Sequence, residues 1–241
     1  MKLNKHYHRL GKLCLLVALC ASCKAINLTE QLPADTYTIP AAQYNQLPGA
    51  TGSNAADSAG KISVDVLQED TLLNLAPNSG TQRPLHVNMT AINHLQLKRV
   101  TFDLDVLTIP FKIRPSVAGF PEQLNAIFNA AMYFGRRVDR FTIETNRKGR
   151  SAKTHLRGTG YGYGGFIGLG SEAVNPYVTR QRIDYEYDGF VINGGVAGIY
   201  DAKRFNLGLA LGADFLIDRN RHDWIYQGKP WIGVLFGVNL N

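Results

Sequence analysis

Charged residues that alternate with apolar ones are the first candidates for chemistry in this sequence. They are Asp103, Asp105, Lys112, Arg114, Arg137, Asp214 and Asp218. Charges of both signs on one face of neighbouring strands could line a narrow pore, or they could pair with one another in a filled interior. Because an unpaired buried charge is costly, we expect a structural network of paired acids and bases. Conduction through the interior is the alternative.

Groups suited to catalysis or metal binding are sparse. The histidines beyond the N-terminal region are His86, His94, His155 and His222, and none lies in a serine or carboxylate motif of a hydrolase. His222 is the only histidine directly beside an acidic residue, Asp223, and we interpret the pair as part of a solvated loop. No histidine or cysteine cluster has the spacing of a metal site. The sequence therefore predicts no catalytic residue, no cofactor and no metal.

A glycine-rich stretch between Gly158 and Gly170 contains the pattern G-x-G-x-x-G at Gly160, Gly162 and Gly165. That pattern indicates a dinucleotide site only where a strand precedes it and a helix follows. Here the alternation of large and small residues continues through the glycines. We therefore predict a β-strand with a small-residue face and not a phosphate-binding loop.

The elements that position these residues are predicted by a two-residue period near the end of the sequence. From Phe205 to Ile217 the odd positions are mostly aliphatic or aromatic, and the even ones are mostly Gly, Ala, Asn and Asp. The pattern returns from Ile232 with its parity reversed. Strands with two unlike faces have this period. Since the second face is small where soluble strands carry Lys, Glu and Thr, we expect the apolar face to contact lipid and the small face to line a lumen. A soluble lipocalin-like barrel would also alternate and remains an alternative.

Counting back from the C-terminus gives a fold class of all-β, with a single antiparallel transmembrane β-barrel of about eight strands in residues 61–241. The predicted strands lie near 62–76, 84–92, 98–114, 123–138, 154–170, 185–200, 204–218 and 229–241. Short links alternate with long ones, so loops 171–184 and 219–228 are expected to be extracellular. Pro110 predicts a bulge, with the parity of its strand changing at Val106-Leu107. Aromatic residues near strand ends are predicted to form an interfacial girdle: Tyr133, Tyr187, Tyr200, Trp224, Tyr226 and Trp231.

The N-terminal region predicts export. Residues 1–22 are basic and then apolar, as in a signal peptide. All three cysteines lie in the first 23 residues. The segment before Cys23 resembles a lipoprotein cleavage box, which implies acylation of Cys23; ordinary cleavage near this position is the alternative. Residues 23–60 contain prolines and few large apolar residues, which predicts a flexible, disordered periplasmic tether.

The net charge of +7 is concentrated at the N-terminus, where residues 1–22 hold four of the 26 basic residues and no acid. The remainder carries only about +3 and no polybasic run, so nucleic-acid binding is not expected.

Two stretches carry a resemblance: Phe102-Asp103-Leu104-Asp105-Val106-Leu107-Thr108-Ile109-Pro110-Phe111-Lys112-Ile113-Arg114-Pro115, and Trp224 to Asn241. They resemble an uncharacterised Bacteroidota family of outer-membrane β-barrel proteins, over about residues 98–241. The resemblance implies a bacterial outer-membrane location and a barrel fold, with no activity. Together with the residue patterns, it predicts a small integral barrel with outer-membrane lipid as its partner. Its role would be structural, or to contact an extracellular partner through loops 171–184 and 219–228.

Overall fold

The computed structural model describes residues 31–50, 60–78, 83–127, 129–148, 151–201 and 205–238. These residues form an all-β structure with one antiparallel sheet of eleven strands. The strands are β1 (Asp35–Pro40), β2 (Lys61–Glu69), β3 (Leu72–Pro77), β4 (Leu85–Asn88), β5 (His94–Arg114), β6 (Gln123–Asn125), β7 (Asn129–Lys148), β8 (Ser151–Val174), β9 (Tyr187–Asp201), β10 (Phe205–Leu216) and β11 (Pro230–Val238). A four-residue helix, α1 (Ala41–Tyr44), follows β1, and three short 3-10 turns lie at Met89–Ala91, Tyr177–Thr179 and Arg219–His222. Within the described residues, no helix has the length and apolar character needed to cross a membrane.

Six of the strands pair in a closed ring. β5, β7, β8, β9, β10 and β11 pair in that order, and β11 returns to β5, where Gly233 lies opposite Lys112. The long links 115–122, 175–186 and 217–229 meet one end of the ring, while short links join β7 to β8 and β9 to β10 at the other. The period of two predicted from the sequence is present. In β10, for example, Gly208, Ala210 and Gly212 are buried, whereas Leu209 and Leu211 are exposed.

The remaining sheet extends from the short-link end of β5 and forms a lobe, which comprises β1 to β4, α1 and the ends of β5, β7 and β8 that pack against them. β1 pairs with β5 at Thr38 and Lys98, and β2, β3 and β4 follow in order. The lobe has an apolar core whose fully buried members include Tyr37, Ile39, Ile62, Val64, Leu73, Leu75, Leu95 and Ile143. The pairing of β8 with β9 ends where Gly160 lies opposite Asp201, but β7 and β8 continue to pair beyond this point. Their extensions reach the core of the lobe.

The predicted flexible tether at 23–60 is wrong for Asp35–Tyr44, which forms β1 and α1. β1 pairs with β2 over six residues, from Asp35 opposite Val66 to Pro40 opposite Lys61. Burial of Tyr37 and Ile39 offsets the entropy of ordering a segment this short. Residues 1–30, with the predicted signal peptide and Cys23, lie outside the described residues.

The prediction of about eight strands is also wrong, since the sheet has eleven and its ring has six. The predicted strand at 62–76 is a hairpin of β2 and β3 that turns at Asp70, whose φ is 51°. The predicted strand at 123–138 divides into β6 and the start of β7. The turn between β2 and β3 contains neither glycine nor proline, so the sequence pattern did not predict it.

The expected irregularity in β5 is present, but it lies at Ile109-Pro110 and not at Val106-Leu107. Leu107 and Ile109 are buried on the inner side together with Trp231, and Phe111 is exposed. The partners shift accordingly, since Val234 lies opposite Phe111 while Phe236 lies opposite Thr108. One additional residue in β5 therefore reverses which side chains point inward.

Candidate functional site

A cluster of four ionised side chains lies inside the ring near its long-loop end. Nζ of Lys112 donates to Oδ1 and Oδ2 of Asp214, both at 3.0 Å, to Oε1 of Glu172 at 3.1 Å and to Oδ1 of Asn129 at 2.8 Å. Nη2 of Arg114 contacts the same two carboxylates, Glu172 at 2.8 Å and Asp214. We call Lys112, Arg114, Glu172 and Asp214 the upper network. Its two cations and two anions balance.

The upper network is closed to solvent. Its side chains are between 0% and 2% exposed, which is rare for charged residues unless they are paired. Nζ of Lys112 lies 4.9 Å from the ring centre of Trp231. The guanidinium of Arg114 lies 4.8 Å from the ring centre of Tyr226 and 5.4 Å from that of Trp224. Aromatic rings therefore complete the shell around both cations.

A second group of charges, the lower network, lies where the ring meets the lobe. Arg99 donates to Asp139 through Nε at 3.1 Å and Nη2 at 2.7 Å, and its Nη1 lies 3.4 Å from Asp35. Arg137 donates to the other oxygen of Asp139 at 2.9 Å and also to Asp201. Gly160 is required beside this group, because a Cβ there would lie 2.7 Å from Oδ1 of Asp139.

Asp103 and Asp105 lie on the inner side of β5 above the lower network and are half-buried. Asp103 is opposite Gly135 and Asp105 is opposite Tyr133. The carboxylate of Asp103 interacts electrostatically with Arg137 and Asp139. Of the seven predicted network residues, Lys112, Arg114 and Asp214 thus meet in the upper network, while Arg137 belongs to the lower one, next to Asp103 and Asp105.

Large side chains fill the space between the two networks. Trp231, Tyr133, Phe166, Leu107, Ile109, Ile199 and Leu235 are buried there. The rings of Phe166 and Trp231 have centres 5.9 Å apart. Glycines make room for them, since a Cβ at Gly212 would come within 2.6 Å of the indole of Trp231. The described part of the interior therefore contains charged layers separated by a packed apolar layer.

Asp218 lies elsewhere, in the loops beyond the upper network. Its Oδ2 accepts from the hydroxyl of Tyr187 at 2.5 Å, and its Oδ1 accepts from the backbone N–H of Asn220 at 2.8 Å. These residues line an open groove of about 460 Å³ with Tyr185 and Arg219. Hydrogen bonds from Asn220 and Arg219 lower the pKa of the Tyr185 hydroxyl below its ordinary value.

No catalytic arrangement forms around the suggestive pair His222-Asp223. His222 is exposed, and its Nε2 lies 3.2 Å from Nε of Arg221. Among the residues that the structure describes, no three His, Cys, Asp or Glu side chains come together as a metal site. The glycine-rich stretch is part of β8, which continues from Ser151 to Val174, so the predicted strand is confirmed.

The exterior of the ring is apolar apart from Arg136, which is exposed opposite Phe102 and Tyr163. The exposed apolar side chains form a continuous surface that we call the belt, which includes Phe102, Leu104, Val106, Met132, Phe134, Ile167, Leu169, Val196, Leu207, Leu209, Leu211, Ile232 and Phe236. Phe102 is 74% exposed, Val106 65% and Leu209 63%. Apart from Arg136, the charged side chains of the ring described above lie inside and the large apolar groups lie outside. This is the reverse of the arrangement in a strand that faces water.

The predicted aromatic girdle is wrong for most of its members. Trp231 and Tyr133 are buried inside the ring, and Trp224 and Tyr226 are buried under the long loops. Two members are not buried: Tyr200 is 55% exposed, and Tyr187 is partly buried in the groove of the long loops. Position near a strand end did not distinguish inward from outward residues, whereas the two-residue parity does.

Sequence reasoning missed Glu172 of the upper network and the two amides beside it, Asn129 and Asn193. Glu172 falls in the predicted loop 171–184, but β8 continues to Val174. Its even position continues the inward series of Phe166 and Gly168, so the same parity could have found it. Asn193 donates to Asn129 at 3.3 Å, which links β9 to β7.

Comparison of the chain with protein-family models, with curated proteins and with solved structures gave no match.

Proposed function

We propose that this chain is a small integral β-barrel protein of the bacterial outer membrane, with a filled lumen and a structural role or a role in surface interaction. The observation that carries the proposal is the belt. A protein that kept this ring in water would expose a far larger apolar surface than soluble monomers do. Hydrocarbon is the solvent that such an exterior fits.

The dimensions of the belt support this proposal. From Leu207 to Ile217, β10 and the residue after it span about 34 Å at about 3.4 Å per residue. At a tilt of about 35–45°, that length covers about 24–28 Å along the membrane normal. The apolar band of outer-membrane barrels is about 25 Å tall. The match in height favours a spanning structure over a local contact patch.

Six strands make a narrower ring than the eight that just accommodate a side-chain-filled interior. The inward Gly and Ala residues of β8, β10 and β11 are the physical consequence, because larger side chains at every position would not fit. Conduction is disfavoured for the same reason, since Trp231, Tyr133 and Phe166 fill the layer between the networks. We expect planar bilayers containing the protein to show no discrete conductance steps.

A lipocalin-like binding barrel would need a polar exterior and an apolar cavity. The ring instead has a largely apolar exterior and an interior filled by side chains, which argues against that alternative. A surface-interaction role is favoured by the long loops, where Tyr185, Tyr187, Asp218 and Arg219 form the open groove. A partner there would meet aromatic faces beside hydrogen-bonding groups of both charges.

The test uses single cysteines in a Cys23→Ser background, since the other two cysteines lie within the predicted signal peptide. Leu209→Cys places a bimane label on the belt, and Arg221→Cys places the same label on an exposed loop. After reconstitution, lipids with brominated acyl chains should quench the label at position 209 and leave that at 221 unchanged. Equal, weak quenching at both sites, with release of the Cys23→Ser protein by carbonate, would contradict membrane integration.

A further inference from the structure

A basic cleft lies on the outer face of the sheet, immediately beyond the belt at the short-link end. It has a volume of about 390 Å³, and its lining includes Thr38, Lys61, Lys98, Arg140 and Thr159. Three of these residues are cations and none is an acid. The side chains of Lys61, Lys98 and Arg140 are exposed.

Strand pairing fixes the cleft in place. Thr38 of β1 lies opposite Lys98 of β5, Lys98 lies opposite Arg140 of β7, and Arg140 lies opposite Thr159 of β8. Four adjacent strands thus present one row of cations and hydroxyls. Among the described residues, no carboxylate is within ion-pair distance of Lys98 or Arg140. Arg157, also exposed, adds a further cation one row away.

The belt begins one row from these cations, two residues further along β5 and β8. There Val100 is 51% exposed and Tyr161 is 40% exposed, and Phe102 follows beside the exposed Arg136. Rows on one face are about 7 Å apart, at about 3.4 Å per residue. The polar layer on each side of a hydrocarbon core is about 5–8 Å thick. If Val100 and Tyr161 lie at the edge of the hydrocarbon, Lys98 and Arg140 lie at the level of lipid phosphates.

The position of Arg140 is held by an aromatic neighbour. Its guanidinium carbon lies 5.6 Å from the ring centre of Tyr161. A guanidinium stacked in this way keeps its N–H donors pointed outward and loses less entropy when an anion binds. Thr38 and Thr159 at the two ends of the row can donate hydroxyl hydrogen bonds to the same ligand.

We propose that this cleft binds the phosphodiester headgroup of an anionic phospholipid in the leaflet at the short-link end, with the acyl chains of that lipid lying on the belt. The inference rests on the proposed membrane integration. The cations select a net negative headgroup, and the adjoining apolar rows select a lipid over a soluble phosphate.

The experiment measures lipid binding to the purified full chain in neutral detergent micelles, where the measurement works whether or not the protein spans a membrane. Phosphatidylglycerol and phosphatidylcholine with identical acyl chains are the probes, and native mass spectrometry gives bound lipid against its mole fraction. The wild-type chain should bind phosphatidylglycerol at least about tenfold more tightly. Lys98→Gln with Arg140→Gln should weaken that binding about 25-fold, since each cation near an anionic lipid contributes about a factor of five.

The matched control is Arg83→Gln with Lys229→Gln, which removes two exposed cations elsewhere and should change binding less than twofold. Circular dichroism verifies that both double variants are folded. Unchanged phosphatidylglycerol binding in Lys98→Gln with Arg140→Gln would overturn the proposal, and so would competition by free glycerol phosphate at equal concentration. Carbonate extraction of the same variant reports membrane integration separately, and it should remain in the membrane because its belt is intact.

Discussion

Replacing Lys112 by methionine tests whether the interior of the ring is dry and packed. Methionine keeps an unbranched side chain of similar length and removes the ammonium group. That group makes four contacts of 2.8 to 3.1 Å with Asn129, Glu172 and Asp214. After the change, Arg114 alone faces two carboxylates, so one buried negative charge is left without compensation.

The expected cost follows from burial. Removing one partner of a buried ion pair costs about 3–5 kcal/mol of the free energy of unfolding. An ion pair in contact with water contributes about 0–1 kcal/mol. The side chains of the upper network are at most 2% exposed, so the larger value applies. Lys112→Met with Glu172→Gln restores the balance of charge, and we expect it to recover at least about 2 kcal/mol of that loss.

Urea unfolding in vesicles of neutral lipid, followed by tryptophan emission, measures these free energies. Trp231 reports directly on the site because its ring centre is 4.9 Å from Nζ of Lys112. Lys229→Met, which removes an exposed ammonium group, is the control and should change stability by less than about 0.5 kcal/mol. If Lys112→Met costs less than about 1 kcal/mol, the interior is hydrated. Water in the interior would then favour conduction over a filled lumen.

Three further changes test the close packing, the lobe and the bulge. Gly212→Ala should destabilise the protein by about 1–3 kcal/mol, because its Cβ would lie 2.6 Å from the ring of Trp231. The control Gly198→Ala should cost much less stability, since no atom lies within 4 Å of its Cβ. Urea unfolding of both variants compares the two costs. Burial raises the pKa of Tyr37 to about 12, so the stability that this residue contributes is complete below pH 10 and is lost as the pH rises from 10 to 12. The difference in tyrosinate absorbance between the wild type and Tyr37→Phe isolates this residue and should show a group that titrates near pH 12. A difference that titrates near pH 10 would contradict the burial of Tyr37. Deletion of Pro110 should abolish assembly into vesicles, whereas Pro110→Ala, which keeps the residue count, should assemble; heat modifiability on gels measures both.

The sequence predicted the two-faced strands well because a two-residue period depends only on alternate side chains. Leu209 and Leu211 are exposed and Gly208 and Gly212 are buried, as their parity requires. Lys112, Arg114 and Asp214 were predicted to point inward, and all three do. Which inward charges meet was not predictable, because the contacts of Lys112 come from strands 60 and 102 residues away in sequence.

The strand count failed because pairing partners are set by tertiary contacts. β1 has only six residues, so its alternation of Tyr37 and Ile39 was too short to outweigh the nearby prolines. Closure of the ring depends on which strand β11 meets, and nothing local to β11 specifies β5. The residues that specify it, Lys112 opposite Gly233 and Phe111 opposite Val234, are more than 100 positions away.

The bulge at Ile109-Pro110 explains how β5 directs odd-numbered residues inward along one part and even-numbered residues inward along the other. Below it, odd residues point inward, from Leu95 in the lobe core to Ile109 beside Trp231. Above it, Lys112 and Arg114 take the inward positions. Without the additional residue, both cations would face the apolar exterior of the ring and lose their carboxylate partners. Phe111 and Ile113 would then be opposite the carboxylates of Asp214 and Glu172. The charges of the upper network and the bulge therefore specify one register together, since the cations reach their carboxylate partners only with the bulge in place.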